Sequence, residues 1–330
     1  MIKNFTEEEL ALGCNNLQIF KAINKTKRII KTYSDIAVSV SGGSDSDIIM
    51  DIMERSDYKK NISYIFFDTG LEYKATFDQL DMLEKKYDVK IIRIKATQPI
   101  PITTRLKGEP FLSKYVSEMM QRLQKHNFTW EDDTFENLYK KYPKCKSALN
   151  WWTNNNGEKS SFNITRNKLL KEYILLNHPD FKISNKCCDY AKKKPSKKFI
   201  KNNVVDLMIM GIRKSEGGIR AQAYKTCYYQ KAEKNNEVDT FLPILWFTDS
   251  DKKEYEKHFN VIHSNCYTEY GLKRTGCAGC PYGRKFEEEL NILEKYEPNL
   301  FIGVNNIFKN SYKYTRGYNE FKKKNKKKKK

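Results

Sequence analysis

Asp35-Ile36-Ala37-Val38-Ser39-Val40, running straight into Ser41-Gly42-Gly43-Ser44-Asp45-Ser46, sets the architecture of this 330-residue chain. A β-branched run stops in two glycines, and an amphipathic stretch from Asp45 to about Arg55 begins at once. That order predicts strand, tight turn, helix N-terminus. Glycines let a backbone approach a ligand closely, and the N–H groups opening a helix favour an anion. Three serine hydroxyls add donors, so the loop suits phosphate. No Gly-Lys-Ser/Thr follows at the spacing of a Walker A loop, and the third glycine of a dinucleotide fingerprint is missing.

The rhythm continues outward from that turn. Ile62–Phe67 predicts a second strand, ending at Asp68-Thr69-Gly70, and a helix should cover about Tyr73–Tyr87. Val89–Ile94 predicts a third strand, Val204–Met210 another that delivers Gly211-Ile212-Arg213, and Phe241–Phe247 a last strand or extended run before a helix at Asp249 to about Phe259. Strands alternating with helices imply an α/β fold: a doubly wound, mostly parallel sheet of five or six strands, with ligands at the carboxyl ends of the strands. The expected division is N-terminal helices over 1–34, a nucleotide-binding domain over 35–97 and 204–262, and a proline-punctuated helical insertion over 98–203. A cysteine-pair segment with a C-terminal helical extension should span 263–321, and a disordered lysine tail 322–330.

Composition narrows the class. The formal charge is +20, with 61 Lys and Arg against 41 Asp and Glu. Such an excess attracts nucleic acid or other polyanions, although a Lys-, Asn- and Ile-rich chain is equally what an AT-rich genome yields. No run of about 18 apolar residues is present, so no membrane partner is expected. Eight cysteines without a secretory leader point to a reducing, cytoplasmic setting where clustered thiols hold metal.

Two cysteine pairs stand out: adjacent Cys187-Cys188, and Cys277-Ala278-Gly279-Cys280. Four thiolates suit a tetrahedral Zn²⁺ or a [4Fe–4S] cluster. Glycines 276 and 279 give the second pair a tight turn, and a vicinal pair is unusual for structural zinc, which favours the cluster. Cys145 and Cys227 are candidate sulfur carriers, while Trp130, Trp151, Trp152 and the four histidines carry no assigned role.

The loop Ser41–Ser46 resembles the PP-loop, SGGxDS, of the adenine nucleotide α-hydrolase (HUP-like) superfamily. Cys187–Pro195 is similar to the CCxxRKxxP segment of the phosphoadenosine phosphosulfate (PAPS) and adenylylsulfate (APS) reductase family, with Ala191 where the arginine would stand. Gly211–Arg220 resembles its GIRxxESxxR motif with Gly217 for serine, Pro243–Asp249 its P-I-x-x-W-T turn with Phe247 inserted, and Asp68-Thr69-Gly70 its LDTG. The C-terminal Glu-Cys-Gly-Leu-His of assimilatory reductases has no counterpart after Cys280, and Arg274–Pro281 looks instead like cluster-bearing phage or DNA-phosphorothioation relatives.

The resemblance implies an adenine-nucleotide site for ATP (or PAPS/APS) with Mg²⁺, on Ser41, Gly42, Gly43, Ser44, Asp45, Ser46, Asp68, Thr69, Gly70, Gly211, Arg213 and Glu216. Asp45, Arg213, Arg220 and Lys192 would act in the reaction, and Cys187, Cys188, Cys277 and Cys280 would hold the [4Fe–4S] cluster or Zn²⁺. Adenylylation of an acceptor, a nucleic acid or small molecule, would precede sulfur transfer from a donor such as a cysteine desulfurase. Sulfonucleotide reduction with a thiol from another protein, and a non-catalytic metal-containing nucleic-acid-binding role, are the alternatives.

Overall fold

The structure is a computed structural model that describes residues 16–56, 61–217, 222–231, 238–283 and 285–327. It divides into two compact units, Met1–Ala96 with Lys193–Cys277, and Thr97–Lys192 with Ala278–Lys330.

The first unit holds a six-stranded sheet: β1 Asp35–Ser39, β2 Asn61–Asp68, β3 Ile91–Lys95, β4 Leu207–Met210, β5 Tyr228–Tyr229 and β6 Asp239–Phe241, in the order β3-β2-β1-β4-β6-β5. All pairings are parallel except β5 with β6. Val38 lies opposite both Tyr64 and Ile209, so β1 is the central strand. The period-2 alternation of a strand then divides two cores. Ile36, Val38, Tyr64, Phe66, Leu207 and Ile209 pack with helices α1 (Leu17–Ile30), α2 (Ser44–Arg55), α3 (Lys74–Tyr87) and α5 (Asp249–His258). Ala37, Ile65 and Met208 face the other way, against Phe199 and Ile200 of α4 (Lys194–Asn202). Both faces are covered, as a doubly wound parallel sheet requires.

Chain order explains where a ligand goes. From β1 the chain steps to β2 and β3 on one side, then returns to place β4 on the other. The loops leaving β1 and β4 therefore part at a topological switch point, where an open α/β sheet leaves a crevice.

Two expected elements differ. The extended run Phe241–Phe247 is strand only as far as Phe241; beyond it, Leu245 N bonds Leu242 O and Phe247 N bonds Ile244 O, so the segment turns. Pro243 has no N–H to continue a ladder. The edge strand β5 has no signal beyond two tyrosines. Residues 322–327 continue the last helix, Lys309–Lys327, rather than a structureless tail; lysine is a good helix former, and buried Tyr312, Tyr314 and Tyr318 anchor the turns before it.

The second unit is helical. Ile100–Lys107, Lys114–Lys125, Phe135–Lys141, Lys146–Trp152, Leu170–Leu176, Phe286–Tyr296, Pro298–Ile307 and Lys309–Lys327 are its main helices. Phe111, Met120, Leu149, Trp151, Trp152 and Tyr314 form its own core, which accounts for the tryptophans. Among the described residues no helix is long and apolar enough to cross a membrane.

Candidate nucleotide site and thiol cluster

In the first unit the loop after β1 is shaped by two glycines. Gly42 has φ +64°, and a Cβ there would lie 2.7 Å from Thr76 Cγ2. Gly43 caps α2 in an extended conformation. Ser46 Oγ donates to Gly43 O (2.7 Å) and receives Ser41 N (3.1 Å), while Ser41 Oγ lies 3.1 Å from Ser46 Oγ. Two of the three serine hydroxyls thus fold the loop on itself. Ser44 N donates to the Tyr267 hydroxyl (3.2 Å), which also meets Thr275 Oγ1 (3.1 Å).

The loop after β4 lies directly against this turn. A Cβ on Gly211 would fall 2.9 Å from the Asp45 carbonyl oxygen, so only glycine admits the approach. Two residues on, the buried Arg213 places Nε 3.0 Å from each Asp45 carboxylate oxygen, and its Nη1 reaches Ser215 Oγ (2.9 Å) and Asp249 Oδ1 (2.7 Å). Arg213 and the Asp45 carboxylate therefore form an ion pair. The guanidinium beside Asp249 holds that carboxyl below its usual range. Glu216 ends a 3₁₀ turn, Lys214–Glu216, and Arg220 lies outside the described residues.

Lys252 was not anticipated. From α5 its Nζ contacts Ser44 Oγ and lies 2.8 Å from Asp45 Oδ1. The available signal was the helix start: Thr248 and Asp251 form a capping box that fixes the first turn of α5, and Lys252 follows it. His263 was also passed over. Its Nδ1 is 2.8 Å from Asp47 Oδ2 and its Nε2 2.8 Å from Glu256 Oε1, so the imidazole joins α2 to α5.

After β2, Gly70 N donates to Asp68 Oδ1 (2.8 Å) at φ +81°. Thr69 N and Oγ1 both donate to the Glu72 carboxylate, a partner three residues on that sequence reading did not single out. Thr69 Oγ1 is also 3.4 Å from Cys277 Sγ, so the first cysteine of the CxxC pair meets the Asp68–Gly70 turn. Cys227 Sγ lies 3.0 Å from Lys25 Nζ. Cys145, in the second unit, donates to Arg122 O (3.6 Å), and burial raises its pKa.

The second unit holds Cys187, Cys188 and Cys280. The Cys188 thiol drops to about 6 because the hydrogen bond from Cys187 outweighs burial, with smaller help from the Lys114 and Lys192 ammonium groups. Burial first, then the sulfurs of Cys187, Cys188 and Cys280, push the Tyr282 phenol well above its ordinary value. Three of the four expected sulfurs thus act on one ring, and Lys192 stands by the vicinal pair. A thiol pushed toward thiolate fits a soft metal centre. Among the described residues no group of three or more His, Cys, Asp or Glu is placed ready to hold an ion.

Comparison with known proteins follows the same lines. The chain is 24% identical over 284 residues to an uncharacterized protein of Methanocaldococcus jannaschii, covering 84% of this chain and 42% of that one. It is 33% identical over 82 residues to adenosine 5'-phosphosulfate reductase of Staphylococcus epidermidis, covering 24% of this chain and 32% of that protein. The chain spans less than half the length of these curated relatives. A PAPS reductase structure from Candida auris, in a phosphate complex, aligns with 83% of this chain and 96% of its own at 12% identity and a TM-score of 0.44. The phosphoadenosine phosphosulfate reductase domain matches residues 35–129 and 121–283. With both loops of the switch point, Arg213 and both cysteine pairs inside that span, the chain belongs to the phosphoadenosine phosphosulfate reductase domain family.

Proposed function

We propose that this chain is an ATP-using enzyme of its family that adenylylates an acceptor and so prepares it for sulfur transfer. The observation that carries the reading is the meeting of the two glycine turns, Gly42–Gly43 after β1 and Gly211 after β4, with Arg213 fixed beside them. Backbone N–H groups at a helix start and a planar guanidinium are what a phosphate chain needs. Ser41–Ser46 would cradle the phosphates, and Arg213 would neutralise charge that develops on them. Asp68, or Asp45 in exchange for its bonds to Arg213 and Lys252, would take Mg²⁺, and Arg220 keeps the role its motif implies. An acceptor oxygen attacks the α-phosphorus, the α–β bridging bond breaks, pyrophosphate leaves, and the acceptor's proton passes to solvent.

Cys187, Cys188, Cys277 and Cys280 would hold the thiolate-bound centre, a [4Fe–4S] cluster or Zn²⁺. Bound there, an iron–sulfur centre would supply electron-rich sulfur chemistry near neutral pH. Lys192 and Lys114 stabilise the Cys188 thiolate that such binding needs.

Protein purified without oxygen is expected to release pyrophosphate from ATP with Mg²⁺ and to bind pyrophosphate. Sulfite release from APS or PAPS with thioredoxin, with no pyrophosphate release from ATP, would replace this reading by sulfonucleotide reduction, which the identity to an APS reductase favours. Nucleic-acid binding with neither activity would reduce it to a binding module. About four irons per chain and a shoulder near 400 nm are expected for the cluster; one zinc without colour would remove the iron.

A further inference from the structure

Lys252 brings an ammonium to the start of α2, within ion-pair distance of Asp45 and Glu256. Its side chain is only 15% exposed, so packing fixes its position. Its ammonium contacts the hydroxyl of Ser44, the first residue of α2, while its own Cα lies in the first turns of α5. The positive ends of two helices therefore lie near one half-buried cation, which the helix dipoles disfavour. Asp45 and, at longer range, the buried Asp47 compensate, but the Asp45 carboxylate also accepts Arg213 Nε on both oxygens. Glu256 Oε1, at 3.7 Å, adds an ion pair without a hydrogen bond. An ammonium has three N–H donors. Ser44 and Asp45 take two, and among the described residues no hydrogen bond to the third is found.

We propose that Lys252 is a phosphate-binding residue of this site: its third N–H takes an oxygen of the β- or γ-phosphate, which makes the loop prefer a polyphosphate chain to a phosphosulfate. The inference rests on the nucleotide-binding reading above and deepens it. A compact ammonium acts on phosphate as a point charge, while the Arg213 fork supplies directional bonds. A terminal sulfate carries less charge on less basic oxygens than the β,γ-diphosphate end of ATP, so it gains less from Lys252. Neither glycine turn makes that distinction, because backbone N–H groups serve either oxyanion.

The test is calorimetric titration of the full chain with pyrophosphate, ATP and APS. Lys252→Met should weaken pyrophosphate and ATP by about 10- to 100-fold, the span expected for one charge-assisted hydrogen bond. APS should weaken far less, and Lys252→Arg should recover much of the loss. Equal binding of pyrophosphate by wild type and Lys252→Met overturns the proposal and leaves the functional reading intact. Wild type that binds neither pyrophosphate nor ATP overturns both.

If the neutral variant does not fold, the wild type decides. Acetic anhydride labelling read by mass spectrometry should show Lys252 protected by pyrophosphate more than by APS. Unchanged labelling overturns the proposal.

Discussion

Gly211 and Gly303 show how little the residue type says without its surroundings. At Gly211 an added Cβ meets the Asp45 backbone 2.9 Å away, and backbone has no rotamer to swing aside. Gly211→Ala should strain the contact between the two turns by about 1–3 kcal/mol and weaken pyrophosphate binding, read by titration, while far-ultraviolet circular dichroism stays unchanged. At Gly303, in the helix Pro298–Ile307, a Cβ meets nothing within 4 Å and φ is ordinary. Gly303→Ala should therefore raise stability by about 0.5–1 kcal/mol, seen as a higher denaturant midpoint. Asp45 makes a third case. Its two oxygens accept Arg213, and one also accepts Lys252, so Asp45→Asn leaves two cations facing a neutral amide. In the absence of Mg²⁺ that variant should bind pyrophosphate more tightly than wild type, because the anion replaces the lost carboxylate. Weaker binding would mean that Asp45 shapes the loop rather than competing with the ligand.

Between elements, one charged tie runs through His263. Asp47, fully buried on α2, and Glu256 on α5 accept from opposite sides of the ring, with Gln79 of α3 also on Asp47 and Lys252 acting on it from α5. Burial disfavours the imidazolium, but the two carboxylates more than offset this and raise His263 to about 9. Raised above its ordinary 6.5, the group adds stability that is complete below about pH 6.5 and is lost as pH climbs through about 9. Unfolding free energy should therefore fall by about 1–3 kcal/mol across that window, and His263→Gln should flatten the slope. An unchanged slope in the variant would assign it to other groups. This tie also marks where sequence reading stops. Ile36–Val38, the double glycine and the Thr248 helix start announce themselves within a few residues, so β1, the turn and α5 were legible. Lys252 and His263 act on partners 207 and 216 positions away, and no local pattern records such a pairing. The turn after Phe241 reads from sequence as strand or extended run for the opposite reason: its apolar run is continuous, and only Pro243 betrays the break.

On the scale of the whole chain, apolar residues gather in separate cores. Val38, Ile49 and Phe241 belong to the sheet unit, and Leu149, Trp151 and Tyr314 to the helical one. Separate cores allow separate stabilities, so a ligand for one unit and a cavity in the other should be readable apart. Leu149 is fully buried, and Leu149→Ala should cost the helical unit about 2–5 kcal/mol. Pyrophosphate at a hundred times its dissociation constant should add about 2.7 kcal/mol to whatever unfolds with its site. Hydrogen exchange by mass spectrometry separates the two effects. In Leu149→Ala, exchange should quicken in Lys114–Lys125 and Lys146–Trp152 while β1 and β4 keep their protection. Added pyrophosphate should slow exchange in Ser44–Arg55 and leave the helical unit as fast as before. Slowing of both units together by pyrophosphate would show that the cores unfold as one, and the charge on each would then have to be read against a single cooperative transition.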